Sequence, residues 1–195
     1  MGKPMSKLRE LVYRVFTRIK RAAQSLGAIT VKGAPTNSAE WEFIRGVMRE
    51  HHFTSAAQRW LKENIKLRVD DVSTERGGGY WAPDRREVRL YSAQHEAAVH
   101  ELSHAWWQDR RDALKDEMIE AVVRLSAESD QHYSDLARLA HGYVHGIPEQ
   151  PWEGLLVTRN DWEMFAGIAS GTMGDMTKLP PYVRRLYTGL FEMPA

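Results

Sequence analysis

Apolar positions along the chain repeat with two periods. Leu8, Leu11, Val12, Val15, Phe16, Ile19, Ala22, Ala23 and Leu26 recur at three- and four-residue intervals, which predicts an amphipathic helix of about 20 residues. A loop from Gly27 to Asn37, holding Gly33 and Pro35, follows it. Asn37 or Ser38 then caps a helix to about Glu50 whose buried side is Trp41, Ile44, Val47 and Met48. His51 and His52 sit at its C-terminus, where they favour the negative end of the helix dipole and read as structural or solvent-facing rather than as metal ligands. Ser55 to Asn64 is a shorter helix. Ile65, Leu67 and Val69 then alternate with Lys66, Arg68 and Asp70, the period of a strand with one buried face. Gly77 to Ala82 and Glu87 to Tyr91 predict two further strands joined at Pro83-Asp84-Arg85-Arg86. The triple glycine 77–79 is either a bulged turn or an edge where the backbone lets an extended peptide come close and pair as an added strand.

The rest of the pattern is helical. From Ala93 no Gly or Pro occurs before Gly142, and Ser92 stands where a cap is needed. Helical spacing continues through Asp112–Ala127 and Asp130–His145 and stops at Gly146 and Pro148. Asn160-Asp161-Trp162-Glu163 is a capped helix start, and after Pro180-Pro181 the positions Tyr182, Val183, Leu186, Tyr187, Leu190 and Phe191 predict a last amphipathic helix. A small antiparallel or mixed sheet followed by a helical half makes the fold class α+β.

Charge divides the chain where the pattern does. Residues 1–34 hold eight Lys and Arg against Glu10 alone, so with +1 for the whole chain the remaining residues carry net −6. The expected organisation is a basic N-terminal helix and linker, 1–34, and a body, 35–195. Three readings of the arm stand: a packed terminal helix, an intramolecular latch or pro-segment over the acidic body, or a contact for nucleic acid or anionic membrane. No apolar run approaches the ~18 residues of a transmembrane segment, and no signal-peptide core is seen, so a cytoplasmic location is expected. With no cysteine in the chain, disulfides and thiolate metal sites are excluded.

Chemistry enters at His100-Glu101-Leu102-Ser103-His104, an H-E-x-x-H run. Four helical residues advance about 400° and ~6 Å, so both imidazoles stand on one face, while Glu101 sits about 100° round, suited to act on a water beside a metal. Chance produces roughly 0.03 such runs in a chain of this composition, so the signal outweighs a helix with two unrelated histidines. A catalytic Zn²⁺ site takes three protein ligands and keeps one open position, so a third ligand is required. The pattern H-E-x-x-H-x-x-G-x-x-H is excluded, because Trp107 and Arg110 occupy its glycine and histidine positions. Glu163 is the leading candidate, since Ala166, Gly167 and Ser170 on its face are small and allow close helix approach. Asn160-x-x-Glu163 also reads as a capping box. His141 and His145 form a second i, i+4 pair, open as ligands, as donors to a reacting carbonyl or as surface histidines. His95, about 140° round from His100, faces away from that site.

Taken together, these residues resemble the gluzincins, zinc metallopeptidases with H-E-x-x-H on one helix and a glutamate ligand on a second. The order of backing helix, small sheet, motif helix and helical C-terminal half is similar over roughly residues 39–175. The run Glu163-Met164-Phe165-Ala166 is similar to the Glu-x-Phe-Ala stretch of lethal-factor-like members, and the size resembles compact minigluzincins. The resemblance implies a zincin-like fold, Zn²⁺ on His100, His104 and Glu163, Glu101 as general base, a protein or peptide substrate and a basic helix that serves as pro-segment. Two positions depart from the family. Gly167 stands where an acidic residue supports a metal-bound histidine, and Leu155, Leu156 and Val157 stand where a transition-state tyrosine is found. The oxyanion donor must then come from elsewhere, with Tyr143, His145 and Tyr187 as candidates and substrate expected beside the strand Glu87–Tyr91. His141-Gly142 also resembles SprT-like proteases, whose third ligand is histidine, although the zinc ribbon of that group has no counterpart here. Outside enzymes, a non-catalytic binding protein that reaches an anionic surface through its basic arm is the competing expectation.

Overall fold

The sheet is small and is ordered by which edges its strands can pair. The computed structural model describes residues 38–70, 78–91, 93–145 and 160–194, all within one compact unit, Thr36–Ala195. The predicted N-terminal helix, Ser92 and the segment with Leu155–Val157 lie outside the described residues. Strands β1 (Lys66–Val69), β2 (Gly79–Ala82) and β3 (Glu87–Leu90) are ordered β1-β3-β2, with β3 parallel to β1 and antiparallel to β2. The sheet is therefore mixed, and the fold is α+β with mostly helical content.

This order changes one expectation. Substrate was expected beside Glu87–Tyr91, yet β3 is paired on both sides, so its backbone groups are taken. The edge strands are β1 and β2, and of these β2 packs on the helix that carries the motif. Tyr91 N donates to Gly78 O at 3.0 Å, which sets the alternation of the antiparallel ladder. With that register, the backbone groups of Tyr80 and Ala82 face β3, while those of Gly79 and Trp81 turn away from it, the Trp81 amide toward Glu101.

Helix α1 (Ser38–Glu50) and helix α2 (Ser55–Asn64) precede the sheet. As expected, Trp41, Ile44, Val47 and Met48 are buried on α1. Thr54 caps α2 by accepting from Ala57 N at 3.0 Å. Helix α3 (His95–Gln108) carries the motif. It is buried nearly all round, by Ala97, Ala98, Val99, Leu102, Ala105, Trp106 and Trp107, which marks a helix through the centre of the core. Its cap position is Gln94, without a side-chain bond. Helix α4 (Arg111–Ser126), a 3-10 turn (Gln131–Tyr133), helix α5 (Ser134–His145) and helix α6 (Asp161–Thr172) complete the helical half. The most extensive helix pairing is α3 with α6. No described helix is long and apolar enough to cross a membrane.

The last predicted helix is shortened. Only Pro181–Arg184 (α7) is α-helical, followed by a 3-10 turn at Arg185–Tyr187. Gly189 then adopts φ +91°, a conformation that ends the helix and turns the chain back. Phe191 pairs with Phe53 as an isolated bridge, and Thr54 N donates to Leu190 O at 3.0 Å. The apolar residues read as one helical stripe reach the core through this turn instead.

Candidate metal centre

The two motif histidines and Glu163 come together from helices α3 and α6. His100 Nε2 lies 3.1 Å from His104 Nε2 and 3.3 Å from Glu163 Oε2, and His104 Nε2 lies 3.5 Å from Glu163 Oε1. Donor atoms held about 2.0–2.1 Å from a tetrahedral centre are ~3.3 Å apart, and each of these three approaches, one to either oxygen of the Glu163 carboxylate, is close to that spacing. Among the described residues these three form a metal-competent group that neither His141 nor His145 joins. His141 and His145 are exposed, with ring centroids 4.5 Å apart.

Local structure explains why Glu163 points inward. Asn160 caps α6 by accepting from Trp162 N at 3.1 Å, which leaves the Glu163 carboxylate to the histidines instead of to a capping box. Asp161, which sequence reasoning treated only as part of the cap, is 3% exposed and accepts from Trp107 Nε1 at 3.0 Å and from Arg111 Nε at 2.6 Å and Nη2 at 3.0 Å. One carboxylate thus binds the first turn of α6 to the end of α3 and the start of α4. Behind it Trp107, Phe165 and Tyr187 stack, with centroid spacings of 4.5 Å in both pairs. The conversion of a chain separation of 59 residues into a 3.5 Å approach depends on this packing.

The electrostatics of the site follow from its geometry. Burial alone raises the Glu163 carboxyl, but hydrogen bonds and charges from His100 and His104 overcome it and hold it well below the usual carboxylate range. For His100, burial pulls the imidazole down, and the Glu163 bond with the charges of Glu101, Glu163 and Glu96 produces a net rise. Glu101 is 6% exposed, and burial raises its carboxyl above the ordinary range, against His104, His100 and a backbone bond from Trp81. It is thereby tuned toward accepting a proton.

The surrounding tautomers are also set. Ser170 Oγ donates to Gly167 O at 3.1 Å, so its lone pair faces His100 Nδ1 at 3.5 Å. A proton on His100 Nδ1 leaves Nε2 as the ligating atom. His104 Nδ1 is buried without a hydrogen-bond partner among the described residues, a cost of about 1–3 kcal/mol that persists where the interaction at Nε2 outweighs it. Two imidazoles and one carboxylate form a donor set that suits Zn²⁺.

Comparison with known proteins finds no matching family model, curated relative or solved structure. The chemistry of the site is therefore read from its own residues.

The two glycines nearest the centre make room for particular groups. A Cβ on Gly167 would overlap the Tyr143 hydroxyl. Tyr143 thus fills the space over Gly167, one turn beyond Glu163. Burial first, and then the Glu163 charge, push its phenol up to about 12, so it remains a donor at neutral pH. A Cβ on Gly79 would lie 2.5 Å from Arg89 O and 3.1 Å from Glu101 Cγ, so the edge strand touches Glu101 only because residue 79 has no side chain. Tyr187, in contrast, is fully buried and donates to Phe165 O at 2.9 Å. Its hydroxyl is committed to the core and is not an oxyanion donor. A cavity of about 410 Å³ opens beside the centre, bounded by Gly78, Gly79, Glu96, Ala97, His100, Glu101 and Ser170, with Gln94 at its rim.

Proposed function

We propose that the protein is a zinc-dependent peptidase of zincin-like, gluzincin type, in which His100, His104 and Glu163 hold the metal. The observation that carries this reading is the convergence of His100 Nε2 and His104 Nε2, 3.1 Å apart, on the Glu163 carboxylate, whose two oxygens lie 3.3 and 3.5 Å from them. A zinc ion held there supplies Lewis acidity to a carbonyl oxygen and lowers the pKa of water toward ~7.

The chain's own groups do the remaining work. Glu101, buried and raised, accepts the proton of the attacking water and delivers it to the leaving amine. Tyr143, held protonated over Gly167, donates to the oxygen on which charge develops. Peptide lies extended along the open edge of β2, where Gly79 presents its backbone next to the 410 Å³ cavity. This placement keeps the substrate beside Glu101, which β3 could not do.

The test is hydrolysis of a mixed peptide library by zinc-loaded protein and by Glu101→Gln. Cleavage by the wild-type chain, with a loss of about 10²-fold or more in a variant that retains zinc, supports the reading. Zinc-loaded wild-type protein that cleaves nothing, or Glu101→Gln that cleaves as fast, contradicts it.

A further inference from the structure

A second group of metal-competent side chains, Glu50, His51 and His95, lies apart from the proposed catalytic centre. His51 follows the last residue of α1, and His95 is the first residue of α3. His51 Nε2 is 3.0 Å from His95 Nδ1 and 4.0 Å from Glu50 Oε1, and His95 Nδ1 is 3.6 Å from Glu50 Oε2. The two ring nitrogens thus face one carboxylate, one toward each of its oxygens, at separations near the ~3.3 Å of donors around a tetrahedral ion, and one donor atom from each residue lies within 4.8 Å of the others.

The decisive feature is how His51 is held. Its side chain is 11% exposed, and its Nδ1 is 3.2 Å from Met173 O. A carbonyl only accepts, so Nδ1 carries the proton and the Nε2 lone pair faces His95 and Glu50. A ligating histidine is commonly oriented in this way by a backbone carbonyl. The approach is built into the fold: Met173 adopts a left-handed φ of 52°, and a Cβ on the next residue, Gly174, would overlap His51 O. His95 and Glu50 are 38% and 63% exposed, which leaves an open side for water as fourth ligand.

We propose that Glu50, His51 and His95 form a second, structural site for a divalent transition-metal ion of the zinc class, which clamps the end of α1 to the start of the motif helix. Two imidazole nitrogens and one carboxylate select zinc, cobalt or nickel over magnesium and calcium. Because the site is open to solvent, it fills after the buried centre during titration. Its occupancy fixes the first turn of α3, five residues ahead of His100.

The experiment is zinc stoichiometry by elemental analysis after equilibration of full-length protein in zinc-buffered solution, together with thermal unfolding. Wild-type chain is expected to bind two zinc ions, and His104→Ala and His95→Gln one each. The combined variant binds none. Zinc should raise the melting temperature of His104→Ala, and this shift should be lost in His104→Ala/His95→Gln. Glu50→Gln, at an exposed position, provides a second probe without risk to folding and should weaken the same event at least tenfold. A single zinc that is lost in His95→Gln and kept in His104→Ala supports the clamp and contradicts the peptidase centre. A single zinc with the opposite dependence overturns the clamp and leaves the peptidase reading standing. Unchanged stoichiometry in both His95→Gln and Glu50→Gln, or no zinc in the wild-type chain, also overturns the clamp.

Discussion

Trp107 donates its indole N–H to Asp161 at 3.0 Å, and that bond joins the helix carrying the motif histidines to the helix carrying Glu163. Arg111 adds two bonds to the same carboxylate. Asp161→Ala leaves the indole without its acceptor and the guanidinium without its counter-charge. Arg111 retains partial contact with water, so the expected loss is about 3 kcal/mol, at the low end for a broken buried pair. Urea unfolding measures it. Zinc affinity should fall as well, by about tenfold or more, because Glu163 stands two residues along the same helical turn.

Ser170→Ala separates support of the metal from the fold. The hydroxyl lies at hydrogen-bond limit from His100 Nδ1, so its removal frees the ring without opening a large cavity. Zinc affinity should drop about tenfold, while the unfolding free energy without zinc should fall by only about 1 kcal/mol, the worth of the lost bond to Gly167 O. Competition with a chromophoric chelator reads the first value and denaturant titration the second.

Gly167→Ala tests the place of Tyr143. The added methyl occupies the position of the phenol oxygen, so the ring must move or the two helices must part. A destabilisation of about 1–3 kcal/mol is expected, together with loss of hydrolysis beyond any loss of zinc. Replacing Tyr143 with Ala in the same chain should recover much of the stability and none of the activity. If the double variant is no more stable than Gly167→Ala, the close approach of these residues is wrong.

Gly79→Ala addresses the edge strand. Its methyl meets Arg89 O and Glu101 Cγ, so β2 must shift away from the base. Zinc stoichiometry should be unchanged, and peptide turnover should fall at least tenfold. Normal turnover with normal zinc content would show that peptide does not use this edge.

Legibility in the sequence followed the range of the physics. Helices α1 to α6 were readable because their apolar spacing is local, and His100 and His104 were readable because four residues along one helix fix their relation. Glu163 was nominated by its small neighbours. What brings it inward, however, is a non-local pair, Trp107 with Asp161, whose partners are 54 residues apart. Strand order was hidden for a similar reason: three short runs of similar pattern do not reveal which one pairs on both sides. The 182–191 stripe misled because Leu190 and Phe191 have helical spacing but are carried by a turn at Gly189 and by pairing with Phe53. His51 was read as a structural or solvent-facing histidine and not as a ligand, and its place in a metal-competent group was missed because its approach to His95 across 44 residues left no local trace.

The central claim concerns the three ligands, and anomalous diffraction at the zinc edge from zinc-loaded crystals tests it most directly. A peak is predicted about 2.0–2.2 Å from His100 Nε2, His104 Nε2 and a Glu163 carboxylate oxygen together. Zinc bound to the histidines with Glu163 turned away, or no peak between α3 and α6, would contradict the account.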